Sequence, residues 1–285
     1  MITVFGATGK TGQQVVRGLV ERGVAVRAFV RDTEKAQALL PAGVEIVVGD
    51  LTDRDAVRRA LTGVDKVYLA VGEREDQQQL EETVVDEVAA TGVTHLVKIS
   101  VPGASPDSPV LLGRWHGAVE QRINEAGLPA VTIIRPNWFS QNFLGSAPTI
   151  ASHNTIYAAA GEGRIAPIDA RDVAAVAVVA LTEDGHAGGD YYVTGPEALS
   201  HSEIAGRLGR VLGRDVSYVD LPDGDFLSAL VGAGVPQWYA EAFAELMPGV
   251  RAGWFEAVSP VVDELLGKTR SFDDFARDNI KAFAA

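Results

Sequence analysis

The feature that most constrains this chain is GATGKTG, residues 6–12, which joins its first apolar run to its first helical pattern. Residues 2–5 read as a short buried strand. Residues 11–22 place Val15, Val16, Leu19 and Val20 on one helical face, closed by Gly23. Gly6, Gly9 and Gly12 therefore have GxxGxxG spacing inside a strand–turn–helix, which is the context of a dinucleotide fingerprint. The first glycine allows a tight turn, the second lets main chain approach a pyrophosphate, and the third lets helix and strand pack closely. Exposed amides and the positive end of the helix dipole then face the phosphates. Thr8, Lys10 and Thr11 line the same turn. A Walker-type loop is excluded, because no glycine stands five positions before Gly9.

The alternation continues. VAVRAFV, VEIVVGD, KVYLAV, HLVKIS and AVTIIRP read as further strands, with helices expected over 52–61, 76–91 and 111–126. Thr52 is the expected N-cap of the first of these, with Asp55 three residues on at capping-box spacing. Gly92 and Gly127 end the other two. Strand–helix units with nearly all-apolar strands imply a parallel sheet covered on both faces, with right-handed crossovers. After Pro136 the pattern loosens, with one short strand expected near 164–168. ARDVAAVAVVALT is a helix, and DYYVTG a strand added to the sheet. From Ser200 the chain reads as a small helical cap. It opens with a helix capped by Ser200 and Glu203, continues through the strand DVSYVDL, and has two helices within 223–247 broken at 234–236.

The expected class is α/β: a Rossmann-type doubly wound parallel sheet with a smaller, mainly helical C-terminal cap. Residues 1–198 form the expected NAD(P)-binding domain, with a core of 1–140 and 165–198 rejoining the sheet; residues 199–285 form the substrate cap.

The carboxyl ends of the strands are where open parallel sheets bind ligands. At the second strand the sequence offers Arg31 and then Asp32. Arginine suits a 2′-phosphate and an acid suits free ribose hydroxyls. Arg31 directly follows the strand, so NADP(H) is expected over NAD(H); a plain solvated loop charge is the alternative. Asp50 and Leu51 end the third strand beside the adenine. Small residues Ala70, Val71 and Gly72 end the fourth, and Ser100 and Val101 end the fifth toward the nicotinamide.

A net charge of −13 argues against nucleic acid and anionic membranes as partners. The absence of cysteine removes disulfides, thiol nucleophiles and thiolate metal sites. The five histidines are scattered, so no metal site is expected. The chain opens on a strand without a leader, and its apolar runs are too short to span a bilayer, so a cytoplasmic location is expected.

GATGKTG, VRD, GDLTD, RPNWFSQNF, IDARDVA and the closing SFDDFARDN together resemble the NmrA-like group of atypical short-chain dehydrogenases. The ending is similar to that of bacterial NAD(P)H-dependent quinone, azo-dye and triphenylmethane-dye reductases. The resemblance covers nearly the whole chain. It implies NADP(H) and a cleft between Rossmann domain and cap, and the aromatic residues of the cap suit a small-molecule, flat aromatic substrate. It also admits a non-catalytic NADP(H)-sensing regulator, and it leaves a homodimer open.

The tyrosine–lysine pair of ordinary short-chain dehydrogenases is absent, because none of the six tyrosines has a lysine four residues later. A ketone needs a proton as hydride arrives; a quinone, azo or dye acceptor needs it less. The expected reaction is hydride transfer to a conjugated, electron-poor acceptor. His116 and Glu120, four apart on one helix, read either as donor and orienter or as a buried pair packed by Leu112, Val119 and Ile123. Lys98, inside a buried strand, reads as structural before catalytic. Pro136 and Asn137 are expected beside the nicotinamide, with Trp138 and Phe139 walling the substrate pocket. Asp169 and Asp172 read as helix-start carboxylates.

Overall fold

The computed structural model describes residues 1–72 and 74–284; Ala285, the last residue of the expected cap, lies outside them. Residues that alternate between apolar runs and amphipathic patterns become, in order, β1 (Ile2–Phe5), α1 (Gly12–Glu21), β2 (Val26–Val30), α2 (Thr33–Leu39), β3 (Glu45–Val48), α3 (Arg54–Leu61), β4 (Lys66–Leu69), α4 (Gln77–Ala89), β5 (His95–Ile99), α5 (Leu111–Ala126) and β6 (Val131–Pro136). A 3-10 helix (Ser140–Ser146) leads to α6 (Ala147–His153), β7 (Thr155–Ala158), β8 (Arg164–Ile165), α7 (Ala170–Thr182) and β9 (Asp190–Val193). The chain ends with β10 (Leu199–Ser200), α8 (His201–Leu212), β11 (Ser217–Asp220), α9 (Asp223–Gly232), α10 (Gln237–Ala244), α11 (Met247–Arg251), α12 (Val261–Leu266), α13 (Phe272–Asp278) and α14 (Ile280–Ala284).

Among the described residues a seven-stranded sheet runs in the order β3-β2-β1-β4-β5-β6-β9. The pairings of β1 with β2 and β4, β2 with β3, β4 with β5 and β5 with β6 are parallel. β9 rises alongside β6, with Ile133 N donating to Gly189 O and Asn137 N to Val193 O, at 2.9 Å each. This is the Rossmann-type α/β fold expected from the sequence. β1, β2 and β5 are buried along their whole length, as double-sided burial requires. The order reverses between β1 and β4, and their carboxyl ends form the topological switch point where such sheets place ligands.

The chain divides into two compact units: Met1–Arg135 with Val173–Tyr192, and Pro136–Asp172 with Val193–Ala285. The first unit has a core around Phe5, Val57, Leu69, Val84, Leu96 and Ile123. Fully burying one such side chain stabilises by about 1.5–3 kcal/mol. The second unit packs Trp138, Phe143, Ile204, Phe226, Phe272 and Phe275 into its own core. It also holds two small sheets, β8 antiparallel to β10 and β7 parallel to β11.

Helix ends follow local chemistry. Ser200 and Glu203 form the expected capping box on α8, and Ser271 with Asp274 forms a second one on α13. At α3 the expectation is corrected. Asp53, not Thr52, is the N-cap and accepts the amides of Asp55 and Ala56. Thr52 is drawn the other way, its amide and hydroxyl donating to Asp50 Oδ1 at 2.9 and 2.8 Å. The strand expected near 164–168 is only Arg164–Ile165; Ile168 instead bridges to Phe139. Asp169 does serve the start of α7, accepting the Arg171 amide at 2.8 Å. Asp172 lies in the first turn of α7, as expected, and also clamps Arg270, accepting both its amide and its guanidinium.

Candidate nucleotide-binding site in the first unit

The glycine turn begins directly after β1. Gly6 has φ 78°, a backbone form that glycine adopts without the strain other residues incur. Gly9 N donates to Gly6 O at 2.9 Å. A Cβ on Gly6 would sit 1.8 Å from Ala70 O, at the end of β4, and one on Gly12 would sit 2.1 Å from Gly6 O. These two glycines are required by the packing of the turn itself. Gly9 differs: it is exposed, and an added Cβ would meet only Gly6 O at 3.1 Å. Its missing side chain leaves room for something outside the turn. Helix α1 starts just beyond, with no side-chain cap and no acid in its first turn. The amides of Gln13 and Gln14 are taken by Gly9 O and Thr11 O at 3.2 and 3.0 Å, so the positive end of the helix dipole and the exposed Lys10 are what favour an anion here. Thr8 is half-buried beside them, whereas Thr11 is buried and accepts the Tyr68 hydroxyl at 2.8 Å. The turn thus fits a pyrophosphate.

Charge gathers at the ends of β2 and β3. Arg31 is exposed, while the Asp32 carboxylate turns into its own helix and accepts the Lys35 amide at 2.9 Å to cap α2. Hydrogen bonds from the Thr52 amide and hydroxyl hold the Asp50 carboxyl below the usual range, aided by the charges of Arg74 and Arg31. Asp50 is half-buried, and Leu51 is buried behind it. Arg74, which the sequence reading missed, pairs in bidentate fashion with Asp76 at 2.7 Å. At the end of β4, Ala70 and Val71 are half-buried and Gly72 is exposed.

Two ionic clusters stand behind the β4 and β5 ends. Ser100 is buried and donates its hydroxyl to Glu120 Oε1. Arg135 grips both Glu120 oxygens at 2.8 Å, Asp190 at 2.7 Å and the Val101 carbonyl at 3.1 Å. Burial alone would lower the Arg135 pKa, but its bonds to Glu120 and Asp190 reverse that and raise it. The second cluster is Lys98. Its ammonium is fully buried and touches Glu81 Oε2 at 3.0 Å, Ile99 O at 2.9 Å and His116 Nδ1 at 2.8 Å. Glu81 Oε1 accepts the Val71 amide at 3.2 Å.

The expectation that Glu120 orients His116 is therefore corrected. Helical spacing gives them one face, but strand neighbours choose their partners. Glu120 goes to the permanent charge of Arg135, and His116 goes to Lys98. Burial, then the charges of Lys98 and Arg135, hold His116 well below 6.5. Gln77, Glu81 and Arg135 were missed as site residues. The one available signal was Lys98: a lysine in an apolar strand demands a buried carboxylate nearby.

Pro136, Asn137, Trp138 and Phe139 belong to the second unit. Pro136 is buried at the end of β6. Asn137 donates to Phe255 O at 2.9 Å and accepts the Trp138 amide at 2.6 Å. Trp138 is only 6% exposed and packs against Phe243 and Phe255, ring centres at 5.1 and 5.9 Å. Phe139 is half-buried. Among the described residues no group of three or more histidines or acids is placed to hold a metal, and no helix is long and apolar enough to cross a membrane.

A doubly wound parallel sheet with a glycine turn at its switch point defines a Rossmann-type α/β protein. The chain belongs to the NmrA-like family, whose profile matches residues 1–276. It is 40% identical over 286 residues to an NAD(P)H azoreductase of Xenophilus azovorans, covering all of both chains. It is equally 40% identical over 286 residues to a (4-alkanoyl-5-oxo-2,5-dihydrofuran-3-yl)methyl phosphate reductase of Streptomyces griseus, covering 100% of this chain and 99% of that one. Its fold matches the NADPH complex of an NADPH-dependent quinone oxidoreductase of Escherichia coli with a TM-score of 0.90 and 31% identity, over 98% of this chain and 100% of that one.

Proposed function

We propose that the protein is an NADPH-dependent reductase that delivers hydride to a conjugated, electron-poor acceptor of the quinone or azo kind. The observation that carries this reading is the glycine turn at the switch point. Gly9 there is exposed and lacks a side chain that the packing would tolerate, beside the uncapped start of α1. The amides around Thr8 to Thr11 hold the pyrophosphate, and Arg31 meets the 2′-phosphate because Asp32 is turned into α2. Asp50 and Leu51 serve the adenine. Ala70, Val71 and Gly72 leave room for the adenosine, and Ser100 and Val101 lie toward the nicotinamide. When bound, NADPH supplies the hydride; the chain's task is to hold it and the acceptor in register.

The acceptor class follows from the acids the chain lacks. No tyrosine has a lysine four residues on, His116 is held neutral and Lys98 is sealed from solvent. An acceptor whose reduced form is stable without simultaneous protonation suits such a site. The groups named for the relatives — an azo bond, a quinone and an acyl-substituted oxo-dihydrofuran — all accept hydride into a conjugated system. The test is loss of the NADPH absorbance with a quinone and an azo dye. Turnover with either is expected. Tight NADPH binding with no oxidation across a broad acceptor panel would instead make the protein an NADP(H) sensor.

A further inference from the structure

Among the described residues Glu81 and Lys98 form the ion pair most deeply buried on both sides, with side chains 1% and 0% exposed. Removing two charges from water is expensive, and a well-packed apolar pair is often as stable or more so. Stability alone does not account for it. The pair has a direction, however. Lys98 is anchored by Ile99 O and His116 Nδ1, and it holds Glu81 through Oε2, an oxygen that makes no hydrogen bond. The other oxygen, Oε1, is thereby aimed at the Val71 amide, 3.2 Å away. Val71 follows Ala70, whose carbonyl fills the space that a Cβ on Gly6 would need. Ala70 N in turn meets Phe5 O at 3.4 Å. The carboxylate therefore grips the main chain that backs the glycine turn.

We propose that Glu81 is a positioning residue for nucleotide binding: held by the buried Lys98, it fixes the main chain of residues 70–72 in the form the adenosine side of NADPH requires. The inference rests on the NADPH reading above and adds a residue that touches neither cofactor nor acceptor.

Two double variants separate positioning from bulk stability. Glu81→Gln with Lys98→Met removes both charges and keeps a carbonyl oxygen for the Val71 amide. Glu81→Leu with Lys98→Met removes the charges and that oxygen together. Each leaves His116 equally without its lysine. The glutamine pair is expected to keep KM for NADPH within about twofold of wild type. The leucine pair is expected to raise it about tenfold, the cost of leaving the Val71 amide without its acceptor, with kcat changed less than about twofold. Hydrogen exchange at the Val71 amide in nucleotide-free protein should quicken only in the leucine pair. Should that variant not fold, Glu81→Ala with Lys98→Met is read the same way. Equal KM values and equal Val71 exchange in the two pairs would overturn the inference while wild-type turnover stood. Wild-type protein that bound no NADPH would bring down the functional reading first.

Discussion

Lys98 Nζ stands 2.8 Å from His116 Nδ1, with both side chains buried. An ammonium only donates, so Nδ1 accepts, and the imidazole is neutral with its proton on Nε2. Gln77 Nε2 lies 3.3 Å from that nitrogen, and a half-turn of the amide brings its oxygen there as acceptor. His116 therefore does not exchange charge with solvent in the neutral range. The kcat of the wild-type enzyme should show no ionisation near 6.5, because burial and the Lys98 charge hold the histidine well below that value. An inflection near about pH 6.5 that vanishes in His116→Gln would show the ring titrating and remove this assignment.

The three glycines of the turn answer to different demands, and substitution should separate them. Gly12→Ala drives a Cβ to 2.1 Å from Gly6 O, main chain that cannot yield without opening the turn. It should destabilise by about 3 kcal/mol or more. Gly9→Ala meets only one atom, at 3.1 Å. It should leave stability within about 1 kcal/mol, yet raise KM for NADPH about tenfold, because the new methyl stands where the pyrophosphate approaches. Urea denaturation and initial rates read the two effects. A Gly9→Ala enzyme with unchanged KM would mean that nothing comes close to that residue.

Arg31 is exposed, and the neighbouring carboxylate of Asp32 already caps α2. Arg31→Glu should then raise KM for NADPH about 10- to 100-fold, the value of a charge-assisted phosphate contact, and alter KM for NADH only several-fold. Stability should not change, since the side chain is a surface group. Equal losses for both nucleotides would remove the 2′-phosphate assignment and leave NADP(H) and NAD(H) undistinguished.

The sheet was legible in the sequence because double-sided burial writes each parallel strand as an apolar run, and glycines such as Gly23 and Gly127, at φ 72° and 62°, stop the helices between them. The glycine turn was legible for the same local reason. What was missed turned on a choice between neighbouring caps in one case and on distant partners in the others. Thr52 and Asp53 both suit an N-cap, and the choice fell to Asp53 because Asp50 captured the threonine. Glu120 and His116 share a helical face, but Arg135 on β6 and Lys98 on β5 part them. Glu81 sits in QQQLEETVVDEVA, where an acid reads as solvated until Lys98 is placed beside it. The pairing of β7 with β11 joins segments far apart in sequence, so no local pattern announces it.

Acid sensitivity provides a last test, in the second unit. His201, first residue of α8, is 3% exposed and lies between Phe143 and Tyr218, ring centres at 5.5 and 5.4 Å. Its Nδ1 has no hydrogen-bond partner. Burial lowers its pKa to about 4, against the opposing charge of Asp220. In the unfolded chain a histidine titrates near about 6.5. Between those values the unfolded state holds the proton and the native state does not, so stability rises with pH across the window and falls as pH drops. From pH 7 to pH 5 this one residue should remove about 2 kcal/mol. His95, also lowered to about 4 by burial, adds to the same slope. Replacing His201 by phenylalanine keeps a ring in the core and removes the titration. Urea midpoints measured at the two pH values should therefore fall less in His201→Phe than in wild type. Parallel falls would mean that the histidine takes up its proton without leaving the native core.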